Sequence, residues 1–434
     1  MKIKESLKNR NLNQLFNDIV IIVPLFLMLH ISSFVINLLT IILIILALLK
    51  IKKDGFKISF LEKYIFIFLL TLVISFIASP HSINKGVSEI IDILQWIFYP
   101  LILGQFVINN KSKKYFIYSL FGVLIVYLIR FYFHKHGIIS FPKYMLGRYS
   151  GGYMISQVSL VLAMVFIILI TIFFYAKLKN KDKILIGILI IMTLYLLLVT
   201  KTRGIYLSIL ITIPLIVLIR NLEYFFITVL LGSISIVVLI FMFPNNKYVV
   251  RLKNITQADV STMGRIEVWN ESIRIFKKYP FNGIGYMNFK KAQRDRKYKA
   301  YVETFNEVVE IFKRNPLNYL EYLNLKKIYI KKRAYQYNQY YAHSHSMIFK
   351  LLCETGIIGL FGYLLLNLVL LFKSIKKGKK DINYLLIFGI LMVLLLYELT
   401  EVIIWRNFAY PFIYFAFGVL LNSEYVKFTI KKKA

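Results

Sequence analysis

Long apolar runs dominate this sequence and restrict what it can fold into. Reading for stretches near the roughly 20 residues that carry a helix across a bilayer, we place about twelve. Their approximate limits are 19–31, 33–49, 58–78, 90–108, 115–134, 153–175, 183–200, 204–220, 222–243, 346–372, 382–400 and 402–421. Within hydrocarbon every backbone N–H and C=O has to be satisfied inside the segment, which a helix does along its own length. The expected fold is an all-α polytopic membrane protein with about 12 transmembrane helices and one large, mainly helical loop. The first two runs are short, and one re-entrant pair is the alternative to two spans. The opening MKIKESLKNR, followed by IVIIVPLFLML, has the charge and apolar order of a signal peptide. No small-residue cleavage site follows and a second run comes almost at once, so we read an uncleaved first helix.

Composition agrees with this reading. Hydrophobic residues make up 58% of the chain, against roughly 45–50% in a soluble domain, and the mean hydropathy is +0.65. The one cysteine, Cys353, lies inside an apolar run and excludes an intrachain disulfide. A net charge of +34 first suggests a nucleic-acid partner. The charge is spread as short clusters between apolar runs, so it reads as membrane topology and no nucleic-acid partner is expected.

The clusters alternate. KIKKDGFK from Lys50, NNKSKK from Asn109, AKLKNKDK from Ala176, KSIKKGKKD from Lys373 and both termini are rich in lysine. SPHSINKGVSE from Ser79, the segment 134–152 and TEVIIWRN from Thr400 are poor in it. By the positive-inside rule this parity places both termini in the cytoplasm. Three regions are expected: a bundle of about nine spans over 1–243, a large external loop over 244–345, and a bundle of about three spans with a basic tail over 346–434. The loop carries 20 Lys/Arg and 8 Asp/Glu, and long translocated segments are largely exempt from the charge rule. Within it AYVETFNEVVEIFKR from Ala300 puts Phe305, Val308, Val309 and Phe312 on one helical face. Such a helix either lies on an anionic membrane surface, with membrane lipids as partner, or packs against the rest of the loop.

Chemistry requires polar groups at the external boundary. TKTRG, over Thr200–Gly204, carries Lys201 and Arg203 there, either as an interfacial anchor or as part of a site. Glu398, Glu401 and Arg406 stand in otherwise apolar sequence near another external junction, as functional groups or as a Glu401–Arg406 ion pair serving packing. In the loop, STMGRIEVWNESIRIF from Ser261 brings Gly264, Arg265 and Trp269 to the start of a helical pattern, and PFNGIG over 280–285 reads as a turn. A GxG without a preceding strand is no dinucleotide site. Finally, His343-Ser344-His345-Ser346 sits against the tenth apolar run. His345, Phe349, Leu352 and Gly356 follow helical spacing, so His345 is expected to begin that span, with Ser344 or Ser346 as its cap. Capping needs one serine, whereas histidine has the unperturbed pKa, near 6.5, that suits proton transfer at neutral pH. Neither HxxxH nor HExxH is present, and Glu354, the nearest downstream carboxylate, lies more than two helical turns from His345. No metal site and no cofactor is expected.

The series TKTRG, GRxxxW at Gly264–Trp269, PFNGIG, and HSxxxxLLCETGIIG from His345 resembles the O-antigen ligase and O-antigen polymerase family of bacterial envelope enzymes. The motifs cover roughly residues 200–362, and the N-terminal half matches in topology. The spacing from His345 to Glu354 and Gly356 selects His345 over His343 as the family histidine, while Ser346 stands where the family usually has Asn, and Ile348-Phe349 stand near its Leu. The resemblance implies a metal-independent glycosyltransferase, multi-pass in the bacterial inner membrane with its site on the periplasmic side. It would move glycan from undecaprenyl diphosphate to a hydroxyl of the lipid A core, as a ligase, or to another carrier-linked repeat, as a polymerase. A protein O-oligosaccharyltransferase is a third relative. Arg203 and Arg265 are then expected to hold the donor diphosphate, arginine's planar fork suiting phosphate oxygens, and His345 to take the acceptor proton. Lys201, His343, Glu354, Glu401 and Arg406 are secondary candidates. A lipid-diphosphate transporter is the rival class; it would use broken helices and paired repeats, and neither is expected from this sequence.

Overall fold

The computed structural model describes residues 13–17, 19, 23, 33–54, 60–77, 99–106, 108, 110–136, 155–242, 260–293, 344–402 and 409–421. Among these, the long elements are all helical: α1 (Ser33–Asp54), α2 (Phe60–Ile77), α3 (Asn110–Lys135), α4 (Ile155–Tyr175), α5 (Asn180–Thr200), α6 (Arg203–Arg220), α7 (Leu222–Met242), α8 (Val260–Lys278), α9 (Met347–Gly378), α10 (Ile382–Glu398) and α11 (Ala409–Leu421). Four of the described helices, α4, α5, α6 and α9, are long and apolar enough to cross a membrane. Shorter apolar helices occupy Lys63–Ile77, Tyr118–Phe133, Leu222–Ile234, Ile382–Glu398 and Phe412–Leu421. The chain is a helical membrane protein. The first expected span (19–31) lies largely outside the described residues, as do most of 90–108 and the amphipathic stretch from Ala300.

The chain divides into two compact units. The first comprises 1–68, 88–257 and 363–434. Its centre is α4, whose sequence ISQVSLVLAMVFIILITIFFY is apolar on every side and buried from Gln157 to Ile172 with few gaps, as expected of a helix with no polar face. Helices α5, α6, α10 and α11 pack around it. Helices at the periphery instead turn large apolar side chains outward. In α7 Tyr224, Phe226, Leu230, Leu231 and Val237 are exposed, the surface a lipid-facing helix presents.

The second unit comprises 69–87 and 258–362. It contains the C-terminal half of α2, all of α8, the turn that follows, and the first half of α9. Contrary to the expectation of unbroken helices, α9 is interrupted at Gly356, whose φ of 64° and ψ of −165° are not helical. That combination belongs to a region essentially restricted to glycine. Beyond the break, α9 continues to Gly378, long enough to span.

Candidate functional site

In the second unit α8 and the first half of α9 meet through side chains. Trp269 stacks on Phe349, ring centroids 5.3 Å apart at 25°. Val268, Phe289 and Cys353 form a buried cluster with Ile275 against it. Further on, the Ile357 N–H donates to the Pro280 carbonyl at 2.9 Å. Partners thus advance together, from Trp269 and Phe349 to Pro280, in the turn after α8, and Ile357. Arg265 lies one helical turn before Trp269 on α8, and His345 precedes the helix that carries Phe349.

The other end is an interlock of the two glycine motifs. The turn over 280–287 presses its backbone onto the break in α9. The carbonyl of Cys353, freed by the break, accepts the Ile284 N–H at 3.0 Å, and the N–H groups of Ile357 and Ile358 donate to Pro280 and Phe281. Backbone groups at a helix break have to find partners when buried, and here PFNGIG supplies them. The approach leaves no room for side chains. A Cβ on Gly356 would lie 2.6 Å from the Asn282 nitrogen, and one on Gly283 would lie 2.6 Å from the Glu354 carbonyl oxygen. From α2, the Ser75 hydroxyl donates to the Asn282 carbonyl at 2.6 Å.

His345 does not begin the helix as the spacing predicted. It precedes Met347 by two residues and adopts a left-handed φ of 51°. The Ser344 hydroxyl donates to the Ser346 carbonyl at 2.8 Å, and that carbonyl also receives the Lys350 N–H at 2.9 Å. Both serines are buried while the histidine between them is partly exposed. The serines therefore wrap the turn, and the histidine between them keeps part of its surface exposed. Histidine tolerates this backbone region better than most residues.

Glu354 lies within the interlock. Its Oε2 accepts the N–H of Met287, itself left-handed with a φ of 64°, at 2.9 Å. The same oxygen pairs with Lys350 Nζ at 2.8 Å, with both side chains almost wholly buried. Lys350 was not singled out from the sequence, although a lysine four residues before a glutamate in an apolar run is a readable i,i+4 pair. Met287 had no such signal.

Arg203 and Lys201 belong to the first unit. Lys201 closes α5 in the left-handed region (φ 52°, ψ 37°), its N–H reaching the Leu198 carbonyl. Thr202 is the N-cap of α6 and Arg203 its first residue. The Tyr206 hydroxyl, donating to the Leu198 carbonyl at 3.0 Å, ties the start of α6 to the end of α5. Gly204 abuts the Tyr397 ring and Thr400, so the α5–α6 corner lies against the end of α10. Glu401 follows that end, its N–H donating to the Tyr397 carbonyl at 3.1 Å. Buried Glu398 receives the phenol hydroxyls of Tyr363 and Tyr410. Three of the polar positions singled out from the sequence, Arg203, Glu398 and Glu401, thus gather at one corner of this unit. His343 and Arg406 lie outside the described residues.

Among the described residues no three His, Cys, Asp or Glu side chains stand close enough to share a metal ion. Residues 187–364 match the family model described as O-Antigen ligase, a span that contains the α5–α6 corner, α8, the interlock and His345. No curated protein matches the chain.

Proposed function

We propose that this chain, whose residues 187–364 form a domain of the O-antigen ligase/polymerase family, is a ligase that transfers glycan from undecaprenyl diphosphate to a hydroxyl of the lipid A core. The observation that supports the reading is the Trp269–Phe349 stack, which joins α8, the helix carrying Arg265, to the helix that follows His345. The side chains of Arg265 and His345 are what the reaction needs. The acceptor hydroxyl oxygen attacks the anomeric carbon, the bond from that carbon to the diphosphate breaks, and the carrier diphosphate leaves with the electron pair. His345 takes the hydroxyl proton, a contribution of about 10² to 10⁴ in rate. Arg265 holds the diphosphate and offsets the negative charge that grows on it, and Arg203 is assigned to the same diphosphate. Direct displacement inverts the anomeric configuration. No nucleotide is consumed because the carrier bond is already activated.

The transporter reading loses its main support at the break in α9. In that class the unwound backbone lines an ion or substrate site, whereas here Cys353, Ile357 and Ile358 are hydrogen-bonded to the 280–284 turn. The test is transfer itself. Proteoliposomes given lipid-linked oligosaccharide and lipid A core should place glycan on the core, and longer carrier-linked chains instead would make the protein a polymerase.

A further inference from the structure

We infer that Lys350 and Glu354 are positioning residues whose buried ion pair clamps the left-handed Met287 turn onto α9 and thereby fixes where His345 stands. The inference rests on the transfer reaction proposed above. Four contacts converge. Lys350 Nζ lies 2.8 Å from Glu354 Oε2 and 3.3 Å from the Met287 sulfur. It also sits over the Tyr286 ring, 4.5 Å from its centroid. Glu354 Oε2 accepts the Met287 N–H at 2.9 Å. The ammonium thus has an anion, a thioether and an aromatic face around it, and nearly all of this is out of water, the two side chains being 4% and 2% exposed.

Stability alone does not account for such a pair. Two charges taken out of water recover little beyond their desolvation cost, and apolar residues of similar size often serve a fold as well or better. Ionisable groups inside apolar membrane segments are costly and generally carry a role. Here the pair sits where geometry is most demanding. Met287 holds a backbone conformation that side chains resist, one residue beyond Tyr286 and three beyond Ile284, whose N–H completes the break in α9. Glu354 fixes that strained residue from the helix side. His345 stands in the turn just before the same helix, five residues before Lys350, and the Lys350 N–H reaches the Ser346 carbonyl that the Ser344 turn also uses. Loosening the clamp therefore releases the helix head and displaces the base, while the arginine fork on α8 stays intact.

The test compares two full-length double variants in proteoliposomes. Lys350→Met with Glu354→Leu removes both charges and the acceptor for Met287. Lys350→Met with Glu354→Gln removes both charges but keeps an amide oxygen for the Met287 N–H. We expect kcat of the first to fall on the order of ten- to a hundredfold, the cost of a misplaced group, with donor KM little changed, and the second to recover most of the loss. Wild-type kcat in the first variant, or equal losses in both that follow their melting temperatures, overturns the proposal. A second measurement needs no turnover. Cys353, the sole cysteine, is fully buried beneath the interlock. Its maleimide labelling should be faster in the Met/Leu variant than in the Met/Gln variant or the wild type. Equal labelling in all three refutes the clamp, whether or not the chain transfers sugar. A wild-type chain that transfers no glycan refutes the proposed function, and the labelling comparison then decides the clamp by itself.

Discussion

Replacing Gly356 with alanine should force the 280–287 turn off α9. The residue occupies φ 64° and ψ −165°, a region that costs a side-chain-bearing residue roughly 1–3 kcal/mol. The new Cβ would lie 2.6 Å from the Asn282 nitrogen and closer still to the Phe281 carbonyl, both of them backbone. Backbone cannot swing aside, so the turn has to lift off the helix. Lifting it breaks the bonds Ile284 N–H to Cys353, Ile357 N–H to Pro280 and Ile358 N–H to Phe281. At about 0.5–1.5 kcal/mol each, the bonds and the strain together come to about 2.5–7.5 kcal/mol, a large share of the roughly 5–15 kcal/mol that holds a domain folded. The melting temperature of the detergent-solubilised protein should fall by at least about 5 °C, and Cys353 should become reactive to maleimide. Gly232→Ala is the control, since a Cβ at that helical position meets nothing within 4 Å and alanine is the better helix former by about 1 kcal/mol. A Gly356→Ala protein that melts with the wild type and keeps Cys353 protected would refute the interlock.

Four further outcomes are expected. His345→Asn should fold normally, because asparagine tolerates the left-handed turn, yet lose about 10² to 10⁴ in transfer rate; unchanged turnover would remove His345 as the base. His345→Ala should lose the same activity and in addition about 1–2 kcal/mol of stability to backbone strain, read as a lower melting temperature than that of the asparagine variant. Arg203→Lys and Arg265→Lys should each weaken use of the diphosphate donor despite keeping the charge, because the planar fork is lost; wild-type kinetics in either would take that residue out of the site. Glu398→Ala strands two buried phenols at about 1–3 kcal/mol each, whereas Glu398→Gln keeps an acceptor, so thermal unfolding should rank the alanine variant clearly below the glutamine variant.

Much of the architecture was legible because membrane helices announce themselves by length and apolarity. The limits read for 222–243 and 382–400 fall within two residues of α7 and α10, since the end of an apolar run and the end of a helix have one cause. The helix holding GRxxxW and the turn at Pro280 were also readable, from periodicity and from proline and glycine. The break at Gly356 was not. A glycine in an apolar run reads as a tolerated helix residue, and only the arrival of another glycine-rich turn, some seventy residues away in sequence, makes it a discontinuity. His345 was found from its chemistry, but its left-handed backbone depends on hydrogen bonds of Ser344 and Ser346 that no spacing encodes. The Lys350–Glu354 pair was visible in principle at i,i+4. Its meaning came from Met287 and Tyr286, which approach it only through the fold.

The most direct test of the account is a reconstituted transfer assay with EDTA present, supplying lipid-linked oligosaccharide and lipid A core to the wild-type and His345→Asn proteins in parallel. Inverted glycan is expected on the core with the wild type and almost none with the variant, chelator notwithstanding. Equal transfer by the two proteins, or transfer that the chelator abolishes, would contradict it.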